Sequence, residues 1–154
     1  MTTALRKRPL ASACAAVALA ALVAVCVQRV ARANAPAGRY TTGVDGDSTA
    51  WAKDTQTGLT WKVQEELGGT TLLTDSAAAV QCVAPWRLPN IRELRSLVDE
   101  TRTAPAIDTS VFTAAGVEWS STRYARTGTG SWSIDFSTGS MSVNTGNAAV
   151  RCVR

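Results

Sequence analysis

Histidine is missing from all 154 residues of the chain. That absence removes Ser-His and Cys-His nucleophile systems, histidine-ligated zinc and the usual general base near neutral pH. No GxxxxGKS/T or GxGxxG phosphate loop occurs either, so nucleotide chemistry has no cradle. An enzyme would be left with a carboxylate pair or one activated residue, and the spacing of Asp and Glu points to no such pair. No cofactor and no metal are expected, and the chain reads as non-enzymatic. Repeats of solenoid type are also missing.

Acidic residues are missing from the first 33 positions, whereas Arg6, Lys7, Arg8, Arg29 and Arg32 all fall there. The whole chain carries 16 Lys and Arg against 12 Asp and Glu, a net charge of +4, which alone would invite a nucleic-acid partner. Without residues 1–33 the balance is 11 basic to 12 acidic, a net −1. The basicity therefore belongs to a targeting signal, and nucleic acid is not an expected partner.

That segment has the layout of a secretory signal peptide, 1–33. Arg6, Lys7 and Arg8 form the positive n-region, "ASACAAVALAALVAVCV" (11–27) the apolar h-region, and "ARA" (31–33) a cleavage site after Ala33. "APA" (35–37) offers a second site. The alternative is an uncleaved N-terminal anchor, since 17 apolar residues lie at the lower edge of what spans a bilayer. A lipoprotein fits less well, because Val25 precedes Cys26 where a small residue is wanted. The expected location is periplasmic, cell-surface or secreted.

Of four cysteines, Cys14 and Cys26 lie in that segment, leaving Cys82 and Cys152. Two cysteines in an exported chain are expected to pair. Closing a loop across their 70-residue separation would contribute roughly 4 kcal/mol in the chain-entropy model. Two buried free thiols are the alternative.

A polar leader, 34–48, precedes one domain, 49–154. "TAWAKDTQTGLTWKV" (49–63) has the pattern of a hairpin, with apolar Trp51, Leu59, Trp61 and Val63 and a "DTQTG" turn. "TDSAAAVQC" (74–82) begins with a capping Thr74 or Asp75 and continues as a short helix. Asn90 stands three residues before Glu93, the capping-box spacing. Ile91, Leu94, Leu97 and Val98 then form an apolar face opposite Arg92, Arg95, Ser96 and Asp99. Strands follow at "VEWSST" (117–122), at "SWSIDF" (131–136) with Trp132, Ile134 and Phe136 inward, and at "MSVN" (141–144) with Met141 and Val143 inward. "AVRCVR" (149–154) closes the chain as a further strand. The expected class is α+β, with short helices packed on small antiparallel sheets.

"DTQTGLTW", the helix ending at Cys82, "WRLPNIRELRSLVD", "PAIDTSVF" (105–112), "WSST", "WSIDFSTG" and "RCVR" occur in an order that resembles a bacterial family, DUF1566. It is also named for the C-terminal domain of a Legionella collagen-like protein. The "WRLP" segment is in addition similar to the "RLPTEAEW" of the formylglycine-generating enzyme family. The resemblance implies an exported C-type-lectin-like domain, whose founding member is a trimeric adhesin for sulfated glycosaminoglycans.

The departures from the family matter. Only "VAP" (83–85) separates the cysteine from "WRLP", where the family has a longer insert. The calcium-and-sugar motifs of C-type lectins, the catalytic cysteine pair of the formylglycine-generating enzymes and a collagen-like repeat are missing. A net −1 also disfavours strong binding of sulfated polyanions.

Trp61, Trp86, Trp119 and Trp132 read as core residues rather than a sugar platform. Tyr124 differs, lying in the polar loop "TRYARTGTGS" (122–131) between Arg123 and Arg126. An aromatic ring beside two guanidiniums suits a sugar bearing a carboxylate or sulfate, and a plain solvated loop is the alternative. Asp135, Asn144 and Asn147 read as solvent-side and turn residues, with a calcium role as the alternative for the first two. Three functions follow in order: a module binding a glycan or extracellular protein, a structural domain forming a homo-oligomer in the envelope, and a formylglycine-generating type of enzyme.

Overall fold

The computed structural model describes residues 36, 38–113, 116–126 and 128–154. The segment expected to be a signal peptide, 1–33, lies outside them. No helix among the described residues is long and apolar enough to cross a membrane.

Two three-stranded antiparallel sheets carry the fold. The first joins β1 (Tyr40–Val44), β2 (Ala50–Asp54) and β3 (Thr60–Lys62), the last two forming the expected hairpin. Gly58 takes φ +76° in its turn, a conformation open to glycine at little cost. The second joins β4 (Val117–Arg123), β5 (Ser131–Asp135) and β6 (Ser140–Asn144). Between the sheets in sequence lie a kinked turn at Glu66–Gly69 and two short helices, α1 (Asp75–Ala78) and α2 (Ile91–Arg95). The α+β class and its small antiparallel sheets are as expected.

Residues Tyr40–Val44 of the polar leader form β1. Asp54 is buried and requires a cation, which Arg39 supplies at 2.9 Å. Tyr40 packs edge-on against Phe112 at 5.1 Å. Gly43 lies beneath Trp51, where an added Cβ would meet the indole at 2.3 Å. Phe112 is distant in sequence from Tyr40, and Asp54 lies 15 residues from Arg39.

Both helices start where expected. Thr74 caps α1, accepting from Ala77 N–H. Asn90 accepts from Arg92 and Glu93 N–H at 2.9 and 3.0 Å, and Glu93 accepts in return from Asn90 N–H at 2.8 Å. The α2 helix ends at Arg95, so Leu97 reaches the core from the following turn. A register irregularity in β4 between Trp119 and Arg123 frees backbone and hydroxyls to hold this helix. Ser121 N–H donates to Pro89 O at 2.8 Å, and Ile91 N–H to Thr122 Oγ1 at 3.0 Å.

The C-terminal residues do not form one strand. They bridge successively to Leu73, β4, β3 and Arg87, through Ala148, Ala149 and Val153. No neighbour runs alongside long enough for a ladder. The Cys82–Cys152 disulfide adds a covalent tie, with Cα atoms 5.8 Å apart. One apolar cluster centres on Trp61, Leu94, Phe112, Ile134 and Phe136, and a second on Trp86, Trp119, Val150 and Cys152. In β5 the expected alternation fails, because this central strand is covered on both faces and Ser133 is fully buried. Met141 is not inward: it is exposed, since β6 forms the sheet edge.

Candidate functional site

Tyr124 follows β4 directly, and its N–H donates to Gly130 O at 3.1 Å, closing the loop. Gly130 holds φ +78° against β6, where a Cβ would lie 2.6 Å from Asn144 O. The tyrosine is half-buried rather than free, meeting Trp132 edge-on at 5.7 Å and 85°. Trp132 is correspondingly the one tryptophan of the four that leaves the core. Arg123 keeps an exposed side chain while its Nη1 donates to Asp75 Oδ2 at 2.9 Å, tying the loop to α1. Arg126 is exposed. The structure thus pairs Tyr124 with Trp132, which the sequence placed in the core, and directs Arg123 to Asp75. A half-buried aromatic pair can stack on a ring, and an exposed arginine can bind an anion.

The remaining polar candidates serve turns. Asp135 accepts from Ser137 N–H at 2.9 Å and from Ser137 Oγ at 2.6 Å, and Asn144 accepts from Gly146 N–H at 2.8 Å. Asn147 is exposed beside the Leu73–Ala148 bridge.

A buried ionic cluster was not legible beforehand. Arg151 is fully buried, and its Nη2 donates to Glu118 Oε1 at 2.8 Å with Nε at 3.1 Å from the same oxygen. The rest of the guanidinium donates to the carbonyls of Lys62, Val63 and Thr113. Glu65 stands second in line at 3.5 Å from Arg151 and accepts from Thr113 Oγ1 at 2.9 Å. Burial pushes the Glu118 carboxyl above its ordinary value, opposed by the Arg151 charge and hydrogen bonds. The sequence signal for this pair was an acid and a base of opposite sign, each inside an apolar run.

Glu65 also lines a cavity of about 330 Å³ between the β1–β2 turn and the segment after β3. Asp47, Ser48, Lys62, Gln64, Glu66 and Leu67 are among its other lining residues. Leu67 and Gly68 adopt left-handed φ of 56° and 67° at its rim. Gly69 leaves space for the buried carboxylate, since a Cβ there would lie 2.8 Å from Glu65 Oε2. Lys62 pairs with Glu66 at 2.6 Å. Glu66 Oε1 is also 3.0 Å from Cys152 Sγ, a contact without a proton because that sulfur is in the disulfide. None of these residues stood out in the sequence. Among the described residues no three or more Cys, Asp or Glu side chains converge as metal ligands.

Compared with known proteins, the chain matches the family model of the Lcl C-terminal domain over residues 50–154. No curated protein and no solved structure matches it.

Proposed function

The chain belongs to the Lcl C-terminal domain family, and from that premise we propose that it is an exported, non-enzymatic binding module. In this reading the fold is C-type-lectin-like, and the ligand is a glycan or a protein at the cell exterior. The observation that carries it is the half-buried Tyr124–Trp132 pair, next in sequence to Arg123 and to exposed Arg126. A ring that is partly covered is oriented before any ligand arrives, which lowers the entropy cost of binding. The disulfide supports an oxidising destination. It also engages both cysteines of the described residues, which speaks against thiol-based catalysis.

A glycan array that includes sulfated glycosaminoglycans tests this, run with calcium and with chelator. The expected signal is on acidic glycans, is weakened by salt, is independent of calcium and is abolished by Arg123→Ala with Arg126→Ala. The Arg123–Asp75 contact is exposed, so its loss leaves the fold in place. A blank array in both buffers, or a signal the double variant retains, overturns the assignment to this loop.

A further inference from the structure

We infer that the outer side of β6 docks a second copy of this chain, the two β6 strands pairing antiparallel about a two-fold axis at Ser142. This surface is separate from the Tyr124 loop and does not require that loop to bind a ligand.

Backbone direction is the first argument. Phe136 N–H donates to Gly116 O at 2.9 Å, on the β4 side of β5. The β5 residues of the other parity, Asp135, Ser133 and Ser131, therefore turn their N–H and C=O groups toward β6. Their partners there are Ser140, Ser142 and Asn144, in a ladder with no register shift. Met141 and Val143 accordingly direct theirs outward, and no strand among the described residues lies on that side. The opposite edge of the sheet is covered, since Trp119 N–H donates to Ala149 O and Ser121 N–H to Pro89 O. Unpaired backbone along a sheet edge is a template for another extended strand.

The composition of β6 selects that strand. Edges that stay single are defended by charge, proline or a bulge. Residues 136–150 include no charged residue and no proline, and the β5–β6 register is regular. By contrast β1, the outer strand of the other sheet, is bracketed by the charged Arg39 and Asp45.

The strand is also its own complement. With the axis at Ser142, Met141 of one copy faces Val143 of the other, and each such pair exchanges N–H···O bonds in both directions. Met141 is 43% exposed and Val143 half-buried, and both lie on one face. Their pairing removes apolar surface from water. On the other face Ser142 meets Ser142 and Ser140 meets Asn144, so no like charges come together. An unrelated strand would have to supply the same neutral, alternating pattern, whereas a second copy has it by symmetry.

Sedimentation velocity of the oxidised protein, from micromolar to millimolar concentration, tests the proposal. One strand from each copy makes an interface at the small end, below about 1,200 Å², so a reversible monomer–dimer equilibrium is expected. Val143→Pro removes an N–H that points away from β5, a place where sheet edges accept proline. It is expected to leave the circular dichroism spectrum unchanged and to weaken the dimer about tenfold or more. Should that variant fail to fold, cross-linking reads the register directly. The two Ser142 Cα atoms would be non-hydrogen-bonded neighbours about 4.5 Å apart, inside the disulfide range of about 4.4–6.8 Å. Ser142→Cys is therefore expected to link two copies on air oxidation, and Ser140→Cys, which faces Asn144, is expected not to. A monomer at every concentration, a dimer that folded Val143→Pro leaves unchanged, or linkage through Ser140→Cys as fast as through Ser142→Cys would each overturn the assignment.

Discussion

Arg151 shows how much one side chain can organise when water is excluded from it. Its guanidinium is fully buried and is spent on Glu118 and three backbone carbonyls, which matches its inventory of five N–H donors. Removing one partner of a buried ion pair leaves the other charge uncompensated. Arg151→Met, which strands both Glu118 and Glu65, is therefore expected to cost about 3–5 kcal/mol in urea unfolding. Glu118→Gln leaves one guanidinium with one carboxylate and is expected to cost clearly less; equal losses would refute the shared-cation account. The same glutamate gives a pH signature. Its carboxyl is raised in the folded state, chiefly by burial, so the folded protein holds that proton when the unfolded chain has lost it. The contribution is complete below the ordinary carboxylate value and disappears as pH rises through the folded one. Glu118→Gln should flatten this slope.

The α2 helix, with five residues, is too short to persist by itself. Its reciprocal cap, the Ile91–Thr122 bond and the bonds from Ser121 of β4 to Pro89 make it a fixed element. Asn90→Ala removes an acceptor shared by two N–H groups and is expected to cost about 1 kcal/mol, with Asn90→Ser restoring most of it. Unfolding curves with no difference between wild type and Asn90→Ala would show that β4 alone holds the helix. Glu93 behaves opposite to Glu118: the Arg87 hydrogen bonds foremost, then the Asn90 N–H, hold it below its ordinary value against burial. Its stabilisation is present above the ordinary carboxylate value and is lost as pH falls through the lower folded one.

The contrast between these elements explains what could be read from sequence. Caps, the β2–β3 hairpin and β5 announce themselves because their signals lie within a few residues. The β1 strand and the C-terminal segment take their shape from distant partners: Asp54 for Arg39, Phe112 for Tyr40, and four separate neighbours for residues 148–154. The loop at Tyr124 was visible as a polar stretch, but its Trp132 partner was not, because alternation in β5 marks that residue as inward. The cavity left no trace in the sequence, since its walls come from two turns that only folding brings together.

At the scale of the molecule, the segment that ends the chain is hydrogen-bonded to β3 and β4 and to Leu73 and Arg87, and Cys152 fastens it to Cys82. Opening that 70-residue ring is expected to lower unfolding free energy by roughly 4 kcal/mol, measured by comparing urea midpoints with and without reductant. The Glu66 carboxylate beside Cys152 Sγ gives this fastening a kinetic guard. A reducing thiolate meets the more accessible Cys82 sulfur first, because Cys152 is fully buried. Cys152 is then the leaving group, and its new negative charge develops 3.0 Å from Glu66 Oε1. A carboxylate beside the departing sulfur opposes that charge and slows its departure, so Glu66 resists reduction as an electrostatic latch, with Lys62 tempering it. Glu66→Gln should be reduced faster than wild type by dithiothreitol and Lys62→Met slower, and the reverse order would mean that this acid does not control how the domain survives a change of redox surroundings.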